Sequence, residues 1–197
     1  MRAGVILLAA GSSSRMGQSK QLLKVGGESL LVRTTTIALE TGLQPVVVVL
    51  GANEREHRKA IEHLGVPIAE NSGWQLGMGS SLKTGLKHLL SIAPGTDAVL
   101  VLVCDQPLLT TIHLRNILEQ FRVFNPLIVA SRYAGNGAVP AVFHKDLFPK
   151  ILEMEDAQGA KKIIGQHSND TIMVDFPDGS VDLDTPEDFQ KFTGSQS

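Results

Sequence analysis

Ala3-Gly4-Val5-Ile6-Leu7-Leu8-Ala9-Ala10-Gly11-Ser12-Ser13-Ser14-Arg15-Met16-Gly17-Gln18-Ser19-Lys20 is the stretch that decides the fold. Its first six residues are apolar without polar alternation, as in a strand covered on both faces of a parallel sheet. The strand runs straight into a loop with two glycines, a run of three serines, one arginine and one lysine, and no acid. Small residues let backbone N–H groups approach an anion closely, and the two cations neutralise it. The spacing excludes the two common phosphate loops. A P-loop has four residues between its glycines and then Lys-Ser/Thr, whereas Gly11 and Gly17 enclose five and Lys20 follows three later. The dinucleotide fingerprint G-x-G-x-x-G is absent, and the second strand candidate closes on Val49-Leu50-Gly51-Ala52-Asn53, without an acid. The plain alternative, a Gly/Ser turn with two surface cations, requires order, spacing and position after the strand to coincide by accident.

Working outward, Val46–Leu50, Val99–Val103 and Leu127–Val129 repeat the buried apolar pattern of Val5–Leu8. Helical patterns separate them: Glu28–Thr41, Glu54–Leu64, Ser80–Leu90 and Thr111–Phe124. This alternation predicts an α/β fold, a three-layer α/β/α Rossmann-like architecture with a mostly parallel sheet. After Ser131 the texture changes: Gly135-Asn136-Gly137-Ala138-Val139-Pro140-Ala141-Val142-Phe143 reads as a glycine turn entering a strand that contains proline. Helices are expected over Lys145–Glu153, Gly159–His167 and Pro186–Phe192, with a short strand at Thr171–Val174. This part is expected to extend the sheet and cover the mouth of the site. Residues 1–193 are read as a single domain and 194–197 as a disordered tail.

The chain has 197 residues, 43% hydrophobic and 19% charged, with a net charge of −2. That suits a globular domain with a sizeable core and argues against nucleic acid or an anionic membrane as partner. One cysteine, Cys104, excludes an internal disulfide and a cysteine-rich zinc site and fits a cytoplasmic location. No segment approaches the roughly 20 apolar residues of a spanning helix.

In open α/β sheets ligands lie beyond the carboxyl ends of the strands. This selects Ala9–Gly17 and Cys104-Asp105-Gln106-Pro107. Asp105 directly follows a buried strand, and an ionised carboxylate there suits Mg²⁺, a hard ion that favours oxygen ligands. Its alternative role as a helix cap is weakened by Thr110 and Thr111, which are available for that purpose. In Asp182-Leu183-Asp184-Thr185-Pro186-Glu187-Asp188, Thr185, Pro186 and the two following acids describe a helix start; Asp182 and Asp184 are left over. Asn71 to Leu82 combines the single tryptophan, Trp74, with Gly77, Gly79, Ser80 and Ser81 at a helix N-terminus, which can meet an anion or a base edge. For Trp74 core packing, and for the serines capping, are the competing roles. The six histidines lack ligand spacing and are assigned surface or helix-end roles. Cys104 is read as a small buried hydrophobe.

Leu8 to Lys20 resembles the L-A-x-G-x-S-x-R-M-G-x-x-K signature of the MobA-like nucleotidyltransferases. Cys104–Pro107 is similar to that family's C-D-x-P element, Asp182–Asp188 to its late acidic element, and Asn71–Leu82 to the N-x-x-W-x-x-G-x-x-x-S-L stretch of the molybdenum-cofactor cytidylyltransferase branch. Gly135, Gly137, Pro140 and Phe143 resemble that branch's G-x-x-G-x-P-x-x-F turn. The resemblance implies the nucleotide-diphospho-sugar transferase type of fold and transfer of CMP from CTP to molybdenum-bound molybdopterin with release of pyrophosphate. It implies Arg15, Lys20 and Asp105 as catalytic residues, and a nucleotide site of Leu8, Ala9, Ala10, Gly11, Arg15, Lys20, Asn71, Gly77 and Ser80. It places Mg²⁺ on Asp105 and Asp184, the latter favoured over Asp182, and the acceptor against Trp74, Gly135, Gly137 and Pro140. Ala10, which gives L-A-A-G, Trp74 and the Asp105-Gln106-Pro107 wording point to the cytidylyl rather than the guanylyl branch. A molybdenum hydroxylase apo-enzyme such as a xanthine dehydrogenase is an implied partner. One departure from the pattern is that the branch's G-D-x-G-A-R is replaced by Asp156-Ala157-Gln158-Gly159-Ala160-Lys161. The alternatives are another NTP transferase of the same fold (a GTP-dependent guanylyltransferase or a sugar-phosphate nucleotidyltransferase), an NAD(P)H-dependent reductase, and a non-catalytic cofactor carrier.

Overall fold

The computed structural model describes residues 2–13, 16–181, 183 and 185–194. In chain order the elements are β1 (Ala3–Ala9), β2 (Lys24–Val25), β3 (Glu28–Ser29), α1 (Leu30–Leu39), β4 (Val46–Leu50), α2 (Glu54–Ile61), β5 (Ile68–Glu70) and α3 (Met78–Ile92). They continue with β6 (Ala98–Val103), α4 (Thr111–Phe124), β7 (Ile128–Tyr133), β8 (Asn136–His144), α5 (Phe148–Glu153), α6 (Ala160–Gln166), β9 (Thr171–Asp175) and α7 (Pro186–Gly194). Seven strands form one sheet in the order β5-β4-β1-β6-β8-β7-β9. Every pairing is parallel except those of β8, which runs antiparallel to both β6 and β7. The fold is therefore the mostly parallel, helix-flanked sheet that the apolar runs predict.

Side chains alternate across a strand, and β1 divides the core accordingly. Val5, Leu7 and Ala9 pack with Leu31 and Ala38 of α1 and with Leu114, Ile117 and Phe121 of α4. Ile6 and Leu8 pack on the other face with Leu82, Leu86 and Leu89 of α3 and Ile163 and Ile164 of α6. Each fully buried Val, Leu, Ile or Phe side chain among them contributes about 1.5–3 kcal/mol. Helix α3 rides close to the sheet because Gly85 has no side chain: a Cβ there would lie 2.6 Å from Ile6 Cγ2 and 2.7 Å from Val49 Cγ2.

The helix ends follow local chemistry. Thr110 caps α4, accepting from His113 N at 3.2 Å. Thr185 and Asp188 bond reciprocally at the start of α7, Thr185 Oγ1 accepting from Asp188 N at 3.2 Å and Asp188 Oδ2 from Thr185 N at 3.0 Å, a capping arrangement. Helix α1 begins at Leu30 rather than Glu28. Gly26 and Gly27, at φ 63° and 92°, form a two-residue turn that folds Glu28–Ser29 back onto Lys24–Val25, as glycines at two positive-φ positions favour. Strand β5 carries too few residues to register as an apolar run. The predicted strand from 135 to 143 proves to be the antiparallel β8, and α7 extends to Gly194.

Candidate active site

A cleft of about 420 Å³ opens beyond the carboxyl ends of β1 and β6. Its floor is residues 8–13 and 103–105; Lys20 and Gln21 stand on one side, and Trp74, Gln75, Gly77, Met78 and Ser81 on the other. Because β1 and β6 are parallel neighbours, paired from Ala3↔Ala98 to Leu8↔Val103, their following turns emerge side by side. Lys20 Nζ consequently lies 4.0 Å from Asp105 Oδ2, although the two residues are far apart in sequence. The lysine side chain is 13% exposed and the aspartate 38%, so a cation and a carboxylate share a partly dehydrated cleft, where charge acts more strongly than in water.

The glycine turn is braced from within by Gln21, which is only 4% exposed. Its Nε2 donates to Gly11 O at 2.8 Å and to Ala9 O at 3.3 Å. Its Oε1 accepts from Ser19 Oγ at 2.8 Å and Ser13 Oγ at 3.0 Å. Ser13 Oγ in turn accepts from Lys20 N at 3.0 Å. Behind Ser19 sits His57 of α2, fully buried, with Nε2 2.6 Å from Ser19 Oγ. Burial pushes the His57 imidazole below its ordinary pKa, against the opposing pull of Glu56 and Glu54.

The opposite wall is held by buried amide and hydroxyl groups. Asn71 Nδ2 donates to Ser80 Oγ and Ser81 Oγ, both at 2.9 Å, and Asn71 Oδ1 accepts from Gly73 N at 3.0 Å. Gly77 has φ +125°, and a Cβ there would stand 2.6 Å from Asp156 O; one on Gly79 would stand 2.5 Å from Glu155 O. The start of α3 thus lies backbone to backbone against residues 155–158, with Ser80 N donating to Asp156 O at 3.2 Å. Lys83 fastens this segment through Asp156 Oδ1 at 2.6 Å and Met154 O at 2.9 Å. Asp156, the acid that departs from the resembled pattern, is therefore engaged in holding the wall.

Of the residues singled out in the sequence, Leu8, Ala9, Ala10, Gly11, Lys20, Trp74, Gly77 and Asp105 line the cleft. Asn71 and Ser80 stand behind it, and Ser81 takes the lining position. Gly135, Gly137 and Pro140 belong to the β7–β8 hairpin, outside the lining. A Cβ on Gly137 would meet Met173 Cε at 2.7 Å, and Pro140 O accepts from Ser131 Oγ at 2.8 Å. Gln106 connects the two regions, its Nε2 donating to Tyr133 OH and Val139 O, both at 3.2 Å. Arg15, Asp182 and Asp184 lie outside the described residues. Among the described residues no group of three or more His, Cys, Asp or Glu gathers for a metal, and no helix is long and apolar enough to cross a membrane.

Cys104 is buried, and burial together with the neighbouring Asp105 carboxylate raises its pKa far above the usual thiol range. This fits its reading as a small buried hydrophobe. Sequence reasoning missed Ser13, Ser19, Gln21 and His57. The histidine assignment is corrected for His57, which is fully buried within α2; His113 stands in the first turn of α4, a helix end as expected, and is buried at 7% exposure. The available signal was a histidine on the inward face of a short, otherwise strongly polar helix, Glu54–Ile61.

Residues 5–171 match the MobA-like NTP transferase domain. The chain belongs to this family. Among its relatives, the purine catabolism protein PucB of Bacillus subtilis (strain 168) is 29% identical, with 93% of this chain and 92% of that protein aligned. The molybdenum cofactor guanylyltransferase of Vibrio cholerae (serotype O1, strain El Tor Inaba N16961) is 27% identical over 95% of this chain and 89% of its own. Among solved structures, Rv0371C of Mycobacterium tuberculosis H37Rv in complex with manganese superposes with a TM-score of 0.78 at 22% identity, covering 99% of this chain and 100% of that one. This MobA-like chain therefore carries the nucleotidyltransferase fold, with the turns after β1 and β6 converging on one cleft.

Proposed function

We propose that this MobA-like transferase moves CMP from CTP onto the terminal phosphate of molybdenum-bound molybdopterin and releases pyrophosphate. The observation that carries nucleotidyl transfer is the approach of Lys20 to Asp105 across the floor of the cleft, at 4.0 Å. The acceptor phosphate is already an anionic nucleophile, so the reaction needs positioning and charge rather than a strong base. Lys20 neutralises the β- and γ-phosphates and stabilises the leaving pyrophosphate, with Arg15 assigned the same task from the signature. The turn from Ala9 to Gly11 meets base and ribose. Charge arranged in advance in this way is often the largest catalytic term.

A divalent cation fits the donor chemistry. Asp105 is a partly exposed carboxylate at the cleft floor, a hard oxygen ligand, and Mg²⁺ ordinarily completes its shell with phosphate oxygens and water. Asp105 would hold the ion, with Asp184 as the second ligand proposed from sequence; when bound, the ion supplies positive charge at the α-phosphate. Mg²⁺ is the proposed metal, and the manganese complex of the mycobacterial relative makes Mn²⁺ the natural comparison.

The preference for CTP is drawn from the resemblance, through Ala10, Trp74 and the Asp105-Gln106-Pro107 wording. Ala10 and Trp74 both pack against Gly51, where a Cβ would lie 2.9 Å from Ala10 Cβ and 2.7 Å from Trp74 Cβ. Trp74, on this reading, flanks the acceptor, and Gly135, Gly137 and Pro140 shape the acceptor end of the sheet. The guanylyl reading draws its support from the Vibrio relative. Pyrophosphate release with molybdenum-bound molybdopterin, comparing CTP with GTP under Mg²⁺ and then Mn²⁺, separates the two. Release with CTP alone is expected; release with GTP alone moves the protein to the guanylyl branch.

A further inference from the structure

Two backbone carbonyls fix the direction of every hydrogen bond around Gln21. Ala9 O and Gly11 O can only accept, so the amide nitrogen of Gln21 faces them. Its Oε1 is then the acceptor for Ser13 Oγ and Ser19 Oγ. A hydroxyl has one proton, and both serines spend theirs on Oε1. Ser13 Oγ is left to accept, which it does from Lys20 N. Ser19 Oγ must likewise accept from its remaining neighbour, His57 Nε2, 2.6 Å away. The imidazole proton is thereby assigned to Nε2. Among the described residues Nδ1 is buried without a partner, tolerable for a lone pair and costly for an N–H.

We propose that His57 is a positioning residue for the nucleotide-binding turn, setting it through Ser19 and Gln21; this rests on the nucleotidyl-transfer reading of the cleft. A one-way chain runs from His57 Nε2–H to Ser19, from Ser19 to Gln21, and from Gln21 to the carbonyls of Ala9 and Gly11. Those oxygens are occupied by amide donors and are not offered to an anion. The Ser13 branch pins the backbone of Lys20, whose ammonium must meet the phosphates. The chain is anchored in α2, which packs on α1, β4 and the Lys20 turn.

The proton stays where the chain needs it. Glu56 and Glu54 favour the imidazolium, and burial outweighs them. The elements packed on α2 carry Arg33 on α1, Lys20 on the turn, and Glu62 and His63 in the turn that follows; β4 has no charged residue. A second proton would have to sit on Nδ1, which has no acceptor, so the neutral Nε2–H form is the one the fold selects.

The test uses the full chain in four variants: His57→Leu, His57→Gln, Ser19→Ala, and the double variant His57→Leu/Ser19→Ala. CTP and GTP affinities are measured by calorimetry with Mg²⁺, and amide hydrogen exchange at Lys20 and Gln21 is measured without ligand. Each single loss is expected to weaken binding of the preferred nucleotide about tenfold, the scale of one hydrogen bond, and to speed exchange at Lys20. The double variant should be no weaker than the worse single, because both remove the same link. His57→Gln, which keeps a donor at the Nε2 position, should restore most of the affinity. A general defect in α2 would add to the Ser19→Ala effect and would not be rescued by glutamine. Wild-type affinity and wild-type Lys20 exchange in folded His57→Leu would overturn the proposal. If His57→Leu does not fold, Ser19→Ala breaks the same link and decides it by the same readouts. If the unaltered protein binds neither nucleotide, the nucleotidyl-transfer reading falls, while the exchange rates still decide whether His57 sets the turn.

Discussion

Two buried histidines make the same contact in different halves of the molecule. His57 Nε2 meets Ser19 Oγ at 2.6 Å, and Ser19 passes the bond to Gln21 and the glycine turn. His113 Nε2 meets Ser131 Oγ at 2.8 Å, and Ser131 passes it to Pro140 O at 2.8 Å. Ser131 stands at the irregularity between Ala130 and Ser131 where the β7–β8 register shifts, and His113 stacks on Phe176 with ring centroids 4.2 Å apart. The chemistry is equal and the destination differs. One relay ends on the glycine turn that we propose meets the nucleotide, the other on a bulge that joins an antiparallel strand to a parallel sheet. A buried His–Ser pair is thus a generic way to satisfy irregular backbone, and only what it holds gives it a functional consequence.

The comparison can be broken at several points, with effects of decreasing size. Lys20→Ala strikes the nucleotide half directly and should lower turnover on the order of 10²-fold or more, with little change in Tm; full turnover in the folded variant would remove Lys20 from the chemistry. Gly79→Ala strikes the opposite wall. Its Cβ would meet backbone oxygens of residues 155–158, which cannot swing away as a side chain can. The expected cost is about 1–3 kcal/mol in urea unfolding, together with weaker nucleotide binding.

His113→Gln sharpens the comparison. It should lower the unfolding midpoint while leaving nucleotide affinity at the wild-type level; a tenfold loss of affinity, the scale set by one hydrogen bond, would show that the two relays are not separate. Acid should act on both. Burial lowers the pKa of each imidazole from the ordinary 6.5, so below that pH the unfolded chain binds protons that the folded chain refuses. Their contribution to stability is complete above about pH 6.5 and is lost as the pH falls below it. Urea midpoints measured from about pH 7 to about pH 5 should decline, and less steeply in His113→Gln than in the wild type; parallel curves would contradict this origin. The smallest effect is expected at Arg132→Ala. The Arg132–Asp175 pair is exposed at 2.6 Å, and exposed pairs contribute little, so Tm and turnover should both remain at wild-type values.

The two halves also differed in how far the sequence exposed them. Val5–Leu8, Val46–Leu50 and Val99–Val103 are covered on both faces, so their apolar runs are unbroken and the parallel core could be read directly. The ends of those strands then located Lys20 and Asp105, because parallel neighbours bring their following turns together. Strand β8 opens on an exposed glycine turn and contains Pro140, so its composition described a turn and an irregular strand without revealing its antiparallel direction. The bracing of the site was hidden for a different reason. Gln21, Ser19 and His57 are polar residues whose partners lie in other elements or on the backbone, and periodicity registers apolar faces. Asn71 and Ser80 were found by pattern, yet they hold the wall from behind rather than line it.

The most direct measurement is pyrophosphate release by the wild-type protein and by Asp105→Asn, with molybdenum-bound molybdopterin, CTP or GTP, and Mg²⁺. The expected result is release by the wild type, reduced on the order of 10²-fold or more in a folded Asp105→Asn that keeps the wild-type Tm. Undiminished release by Asp105→Asn, or no release by the wild type with either nucleotide, would contradict nucleotidyl transfer at the Lys20–Asp105 cleft.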